Sequence, residues 1–169
     1  MQRYVLIGFS GCGKSTTGRF AAKALDLPFD DSDKEIERLA GCSISEIFAQ
    51  KGEAKFRALE TEAITKLLRR PRGLIATGGG CVTVERNMRI IGQSATVIYL
   101  RATPEKILSN VGHDTTRPLL QTDDKMAAIR QLMDARLPLY EKYAHITIDV
   151  SNLTRPEAVD ALVVAIKRA

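Results

Sequence analysis

The 169-residue chain has no tryptophan, and aromatic residues of all kinds make up only 5% of it. Its lysines and arginines never run longer than a pair such as Arg69-Arg70. A nucleic-acid module would need a basic stripe or a set of stacking rings, and neither is present. The net charge is nevertheless +5, so the expected partner is an anionic small molecule. No apolar stretch approaches the roughly 18 residues needed to cross a bilayer. The first apolar run is only Tyr4–Ile7 and a glycine loop follows at once, so no secretory signal is read and the expected location is the cytoplasm. The three cysteines, Cys12, Cys42 and Cys81, show no C-x-x-C spacing, which argues against a disulfide framework or a zinc site. Cys12 and Cys81 lie in glycine-rich loops and read more simply as small residues in tight turns than as redox groups. The two histidines, His113 and His145, make no case for chemistry. No long apolar heptad suggests an extra interface, so a monomer is expected.

What is present is an ordinary globular composition, 44% apolar and 27% charged, at a length that fits one domain over residues 1–169. Short β-rich apolar runs alternate with helical patterns. Strands are expected at Tyr4–Gly8, Leu27–Asp30, Leu74–Thr77, Ala95–Leu100 and Ile146–Val150. Helices are expected over Lys14–Leu25, from just after Asp31 (Ser32 and Glu35 at capping-box spacing), over Glu53–Leu68, after Thr103-Pro104, over Thr122–Tyr143 with a break or bend near Pro138, and from the Thr154/Glu157 cap to Lys167. Ser43 and Glu46 repeat the cap signature. This order implies an α/β, three-layer fold, a mainly parallel sheet with helices on both faces, with ligands gathered at the carboxyl ends of the strands.

Residues 8–16 read GFSGCGKST, which matches G-x-x-x-x-G-K-[ST] between an expected strand and an expected helix. Glycines let several backbone N–H groups turn toward one phosphate chain, and Gly13 sets the positive helix end beneath it. Lys14 supplies a charge for the β- and γ-phosphates, and Ser15 supplies a hydroxyl for Mg²⁺. A GTPase would carry N-K-x-D and D-x-x-G motifs; no N-K pair and no D-x-x-G occurs in the chain.

The loop names the donor and leaves the acceptor open. Asp31 and Asp33, one residue apart, serve either as a metal-facing acid and a base for an acceptor hydroxyl or merely as caps of the next helix. Arg57 lies between Glu53 and Glu60 on one helical face, as a surface salt bridge or as a guanidinium forked onto a substrate carboxylate. Arg136 is ambiguous in the same way. Gly78-Gly79-Gly80 requires either close backbone approach or positive φ. Arg117 follows a polar stretch, Asn110–Thr116, that reads either as a plain surface loop or as a lid carrying a charge to the γ-phosphate.

In order and spacing, GFSGCGKST, DSD, GEAKFR, TGGGCV, TTRPLL and ARLPLYEKYA resemble the shikimate kinase family over essentially the whole chain. The resemblance implies a five-stranded parallel sheet of the nucleoside-monophosphate-kinase type, a substrate-binding region near 31–60, a lid near 111–123, and ATP-dependent phosphorylation of shikimate in aromatic amino-acid synthesis. Gly11, Cys12, Gly13, Lys14, Ser15 and Thr16 would hold the ATP phosphates. Ser15 and Asp31 would serve Mg²⁺. Asp33 would act as base, beside the catalytic charges Lys14 and Arg117. Arg57 and Arg136 would clamp the shikimate carboxylate, with Glu60 orienting Arg57. Gly78, Gly79 and Gly80 would form a platform, Phe48 and Phe56 an apolar side, and Pro118 and Leu119 would touch substrate from the lid. Arg155 and Pro156 would belong to the far wall of the adenine pocket. The chain departs from the family at Asn110, where many members carry an arginine that packs on adenine.

Overall fold

The computed structural model describes residues 2–111 and 124–169. Five strands, β1 (Gln2–Ile7), β2 (Phe29–Asp31), β3 (Arg72–Ala76), β4 (Thr96–Arg101) and β5 (Ile146–Asp149), form one sheet in the order β2-β3-β1-β4-β5. Every pairing is parallel, with Val5 opposite Ile75 on one side and Val97 on the other. Both faces of the inner strands are therefore covered, and Val5, Leu6, Ile7, Leu74, Val97, Ile98 and Leu100 are all buried. The chain leaves β1 at the sheet's centre, the place where strand order reverses and a crevice opens.

Helices α1 (Lys14–Ala24), α2 (Ser32–Ala40), α3 (Ile44–Leu67), α4 (Glu85–Ser94), α5 (Pro104–Val111), α6 (Lys125–Tyr143) and α7 (Arg155–Arg168) flank the sheet. The local signals that set their ends are visible. Ser43 Oγ accepts the amide of Glu46, and Thr154 with Glu157 makes a complete capping box. The expected cap at Ser32 belongs instead to Asp31, whose carboxylate accepts the amide of Asp33 at 2.9 Å. β2 starts two residues later than expected, because Pro28 has no N–H for the ladder; its carbonyl still accepts from Leu74. The helix expected from Glu53 is the second half of α3, which breaks at Gly52, φ 78°. α5 runs through Asn110, where no regular structure was expected, and α6 continues through Pro138. A 3₁₀ turn (Cys81–Thr83) and α4 were not anticipated at all: Val84, which precedes α4, offers no side-chain cap, though Asn87, Met88 and Ile91 make a buried face.

The main core surrounds the sheet. A smaller one, Ile36, Ile47, Phe56, Leu59 and Ala63, holds α2 and α3 together beyond the carboxyl end of β2. Among the described residues no helix is long and apolar enough to cross a membrane.

Candidate active site

The turn from β1 into α1, residues 8–13, wraps the amino end of α1. Gly13 caps α1 with φ 94°, a conformation that a side chain would strain, and it makes no side-chain bond to the helix end. The first turn of α1 carries no acid. Its free N–H groups and positive dipole are left for an anion. Lys14 is buried, 6% exposed, and its Nζ donates to the carbonyls of Gly8 (2.6 Å) and Phe9 (3.0 Å). An ammonium has three donors; the loop carbonyls fix its direction with two, and the third meets only a weak sulfur acceptor, which a phosphate oxygen can replace. Cys12 Sγ lies 3.7 Å from the same nitrogen.

A cleft of about 490 Å³ opens over this loop. One end is lined by Lys106, Asn110, Leu153 and Arg155, the other by Asp33, Gly78 and Gly79. Thr16 also lines it; Pro156, in the first turn of α7, is exposed and stands outside the lining. Asn110 donates to the carbonyl of Gly11 at 2.8 Å and so ties α5 to the phosphate loop. Lys106 donates to the carbonyl of Leu153 at 3.1 Å.

The two acids after β2 diverge. Asp31 turns to the loop, where Ser15 Oγ donates to its Oδ2 at 2.5 Å. Asp33 turns to the end of β3: a Cβ placed on Gly78 would meet Asp33 Oδ1 at 3.0 Å and Glu60 Oε2 at 3.4 Å. Glu60 is fully buried. Its Oε1 accepts from Arg57 Nη1 at 2.9 Å, while Oε2 has no hydrogen-bond partner among the described residues. Burial pushes the Glu60 carboxyl above its ordinary value, against the opposing pull of Arg57, and the charge of Asp33 adds to the rise. The Arg57–Glu60 pair is thus a buried one, with the exposed Glu53 at 3.6 Å on the outer side.

The three glycines after β3 earn their place by close approach, since none has a positive φ. A Cβ on Gly79 would sit 2.7 Å from the backbone nitrogen of Ser10, and one on Gly80 would collide with the Arg57 guanidinium. Tyr140 on α6 donates its hydroxyl to the Gly79 carbonyl at 2.5 Å. One turn earlier, Arg136 is 8% exposed and stands over the Phe9 ring at 5.8 Å. No carboxylate among the described residues pairs with Arg136, although its charge lowers the Glu60 carboxyl. Phe48 and Phe56 meet at 4.7 Å between ring centres, with the Arg57 guanidinium 5.0 Å above Phe56.

The structure therefore gathers Lys14, Ser15 and Asp31 at one end of an arrangement whose other end holds Asp33, Glu60, Arg57, Arg136 and the glycine platform. Arg117, Pro118 and Leu119, with most of the region 111–123, lie outside the described residues, as does His113. His145 has a local structural task, since its Nδ1 accepts the amide of Val97. Tyr140, Asn87, Lys106 and Asn110's bond to the loop were not read from the sequence. Only Tyr140 carried a signal, four residues after Arg136 on one helical face.

The model of the family described as "SKI: Shikimate kinase" matches residues 10–167. The chain belongs to the shikimate kinase family. A shikimate kinase from Neisseria gonorrhoeae is 44% identical over 150 residues, covering 89% of this chain and 88% of that one. The solved structure of shikimate kinase from Acinetobacter baumannii in complex with shikimate superposes with a TM-score of 0.92 at 37% identity, covering 99% of this chain and 94% of that one. A gluconokinase from Sinorhizobium meliloti, TM-score 0.65 at 16% identity, covers 99% of this chain and 92% of that one and shares the fold alone. Membership in the shikimate kinase family makes the protein a phosphotransferase, and its departure at Asn110 is now seen as a clip between α5 and the loop.

Proposed function

We propose that the protein transfers the γ-phosphoryl group of ATP to the 3-hydroxyl of shikimate, giving shikimate 3-phosphate and ADP, as a monomeric cytoplasmic enzyme of aromatic amino-acid synthesis whose whole chain is one kinase domain. The observation that carries this reading is Arg136: a buried guanidinium without a carboxylate partner among the described residues, 5.8 Å over the ring of Phe9 in the phosphate loop and close enough to Glu60 for its charge to act on that carboxyl. Burying an unpaired cation is costly, so the site favours an anion there. Arg57 and Arg136 together suit a carboxylate, and the ring that bears it would lie along Gly78, Gly79 and Gly80 with Phe48 and Phe56 beneath.

In this reading Asp33 accepts the proton of the attacking hydroxyl, because it lines the same cleft as Lys14. Glu60 orients Arg57 and stays off the reacting atoms. Lys14 turns the donor that meets Cys12 Sγ to the transferring phosphates, joined by the loop amides from Gly11 to Thr16. By the family resemblance Arg117, with Pro118 and Leu119, would serve the γ-phosphate and the substrate; these three lie outside the described residues, and Arg155 borders the nucleotide base.

Magnesium fits the residues present. Ser15 Oγ and Asp31 Oδ2 are 2.5 Å apart, two hard oxygen donors beside the phosphate loop, and the described residues contain no crowded acidic cage. Mg²⁺ is commonly held by one or two protein oxygens with phosphates and waters filling the rest. When bound it neutralises phosphate charge.

A coupled assay of ADP release with shikimate, gluconate and nucleoside monophosphates as alternative acceptors tests the assignment. Turnover is expected with shikimate alone. Turnover with gluconate or a monophosphate and none with shikimate overturns it.

A further inference from the structure

Behind the acceptor end lies a polar residue that no part of the site yet explains. Asn87, on α4, is fully buried, and its side chain reaches α3. Its Nδ2 donates to Glu60 Oε1 at 3.3 Å and approaches Cys81 Sγ at 3.9 Å. Its Oδ1 lies 2.6 Å from Thr61 Oγ1. The orientation of this amide follows from its neighbours. An ionised carboxylate can only accept, so the nitrogen faces Glu60 and the oxygen faces Thr61. Thr61 has one hydroxyl proton and two acceptors within reach, Asn87 Oδ1 at 2.6 Å and the Arg57 carbonyl at 3.1 Å. The shorter contact takes the proton, and the amide is thereby held in place.

Glu60 Oε1 consequently receives two donors from two elements, Arg57 Nη1 within α3 and Asn87 Nδ2 from α4. The remaining charged and titratable groups around it are Asp33 on α2, Arg136 on α6 and Cys81 in the 3₁₀ turn. Of the two donors only Asn87 is neutral and wholly buried, so it fixes where the carboxylate sits rather than being drawn along by it. A carboxylate displaced by a rotamer would carry Arg57 with it, because the guanidinium is confined between Glu60 and the backbone at Gly80.

We propose that Asn87 is a positioning residue for the acceptor clamp, its amide holding the Glu60 carboxylate that in turn sets the Arg57 guanidinium against Gly80. This rests on the acceptor reading given above. The test compares Asn87→Leu, which keeps the volume and removes both hydrogen-bonding functions, with the wild type. In the variant the Thr61 hydroxyl falls back on the Arg57 carbonyl, which leaves the loss concentrated on Glu60. KM for shikimate is expected to rise about tenfold, the equivalent of one hydrogen bond to a charged group, while KM for ATP stays within about twofold. A packing role alone moves neither KM selectively. Unchanged KM for shikimate, or an equal rise in both, overturns the proposal. ¹⁵N NMR of the Arg57 guanidinium gives a readout that needs no substrate: rotation about its Cζ–Nε bond is expected to be slow in the wild type and faster in the variant, and equal rates overturn the proposal. Should Asn87→Leu not fold, Thr61→Val removes the group that orients the amide; a smaller rise in KM for shikimate, about threefold, is expected, and none is refuting. Wild-type protein that fails to phosphorylate shikimate sinks the acceptor reading, and the NMR comparison then still decides the role of Asn87.

Discussion

Replacing Arg57 with alanine tests whether its pair with Glu60 is a buried electrostatic unit or a surface contact. Glu60 is wholly buried while Arg57 is only 18% exposed, so the substitution leaves a carboxylate in a low-dielectric site with Asn87 as its one hydrogen-bond donor. Breaking a buried pair from one side costs about 3–5 kcal/mol, and the partial exposure of Arg57 places the expected loss near 3 kcal/mol at neutral pH. The loss depends on pH in a defined direction. Glu60 already titrates above its ordinary value of 4.5 in the folded protein, by burial first, so folding binds its proton more tightly than the unfolded chain does. Stability therefore falls as pH rises from 4.5 through the folded value, and levels off above it. Without Arg57 that folded value moves higher still. The gap between wild type and Arg57→Ala is small in acid, grows by about 1.4 kcal/mol per pH unit between the two folded values, and is largest above both. Urea unfolding at a series of pH values reads the gap directly. The double variant Arg57→Ala/Glu60→Gln removes both charges of the pair, and its stability is expected to lose this pH dependence. A gap that is equal at every pH, or a double variant that keeps the slope, refutes the reasoning. In kinetic terms Arg57→Ala raises KM for shikimate and leaves nucleotide binding nearly intact.

Lys14→Ala is expected to lower kcat on the order of 10²–10³-fold, measured in the coupled assay with folding checked by circular dichroism. Gly79→Ala places a methyl 2.7 Å from the Ser10 nitrogen, a backbone atom that cannot swing aside; a loss of about 1–3 kcal/mol in urea unfolding, with a fall in kcat as the loop is pushed away, is expected. Asp31→Asn keeps an N-cap acceptor for Asp33, so the fold should persist while the Mg²⁺ concentration for half-maximal activity rises; an unchanged Mg²⁺ titration removes Asp31 from the metal site.

The two ends of the site were unequally legible. The proposed phosphate loop is nine consecutive residues whose types dictate its geometry, so its strand, glycine turn and helix start were readable locally. The end proposed for the acceptor is assembled from α2, α3, the end of β3 and α6. Before folding, Asp33, Arg57 and Arg136 each had a bland alternative, and only their ordered resemblance to a family joined them. The Ser32 cap and the start of β2 were misplaced by one or two residues, because Asp31 and Pro28 decide those ends through contacts that spacing does not reveal. The unassigned stretch after Gly80 hid α4, whose apolar positions are sparse and whose start lacks a cap.

Alone, the sequence determined the alternation of strand and helix, the anion-seeking turn at residues 8–16 and the identity of the groups available to a substrate. These depend on periodicity, capping and φ preferences, all of which act within a few residues. Tertiary structure decided which way those groups face. It separated Asp31 from Asp33, made Arg57–Glu60 a buried pair instead of a surface one, left Arg136 buried without a carboxylate among the described residues, and set Asn87 behind Glu60. Burial and charge pairing arise only when distant segments exclude water from one another, so no local pattern could encode them in a readable form.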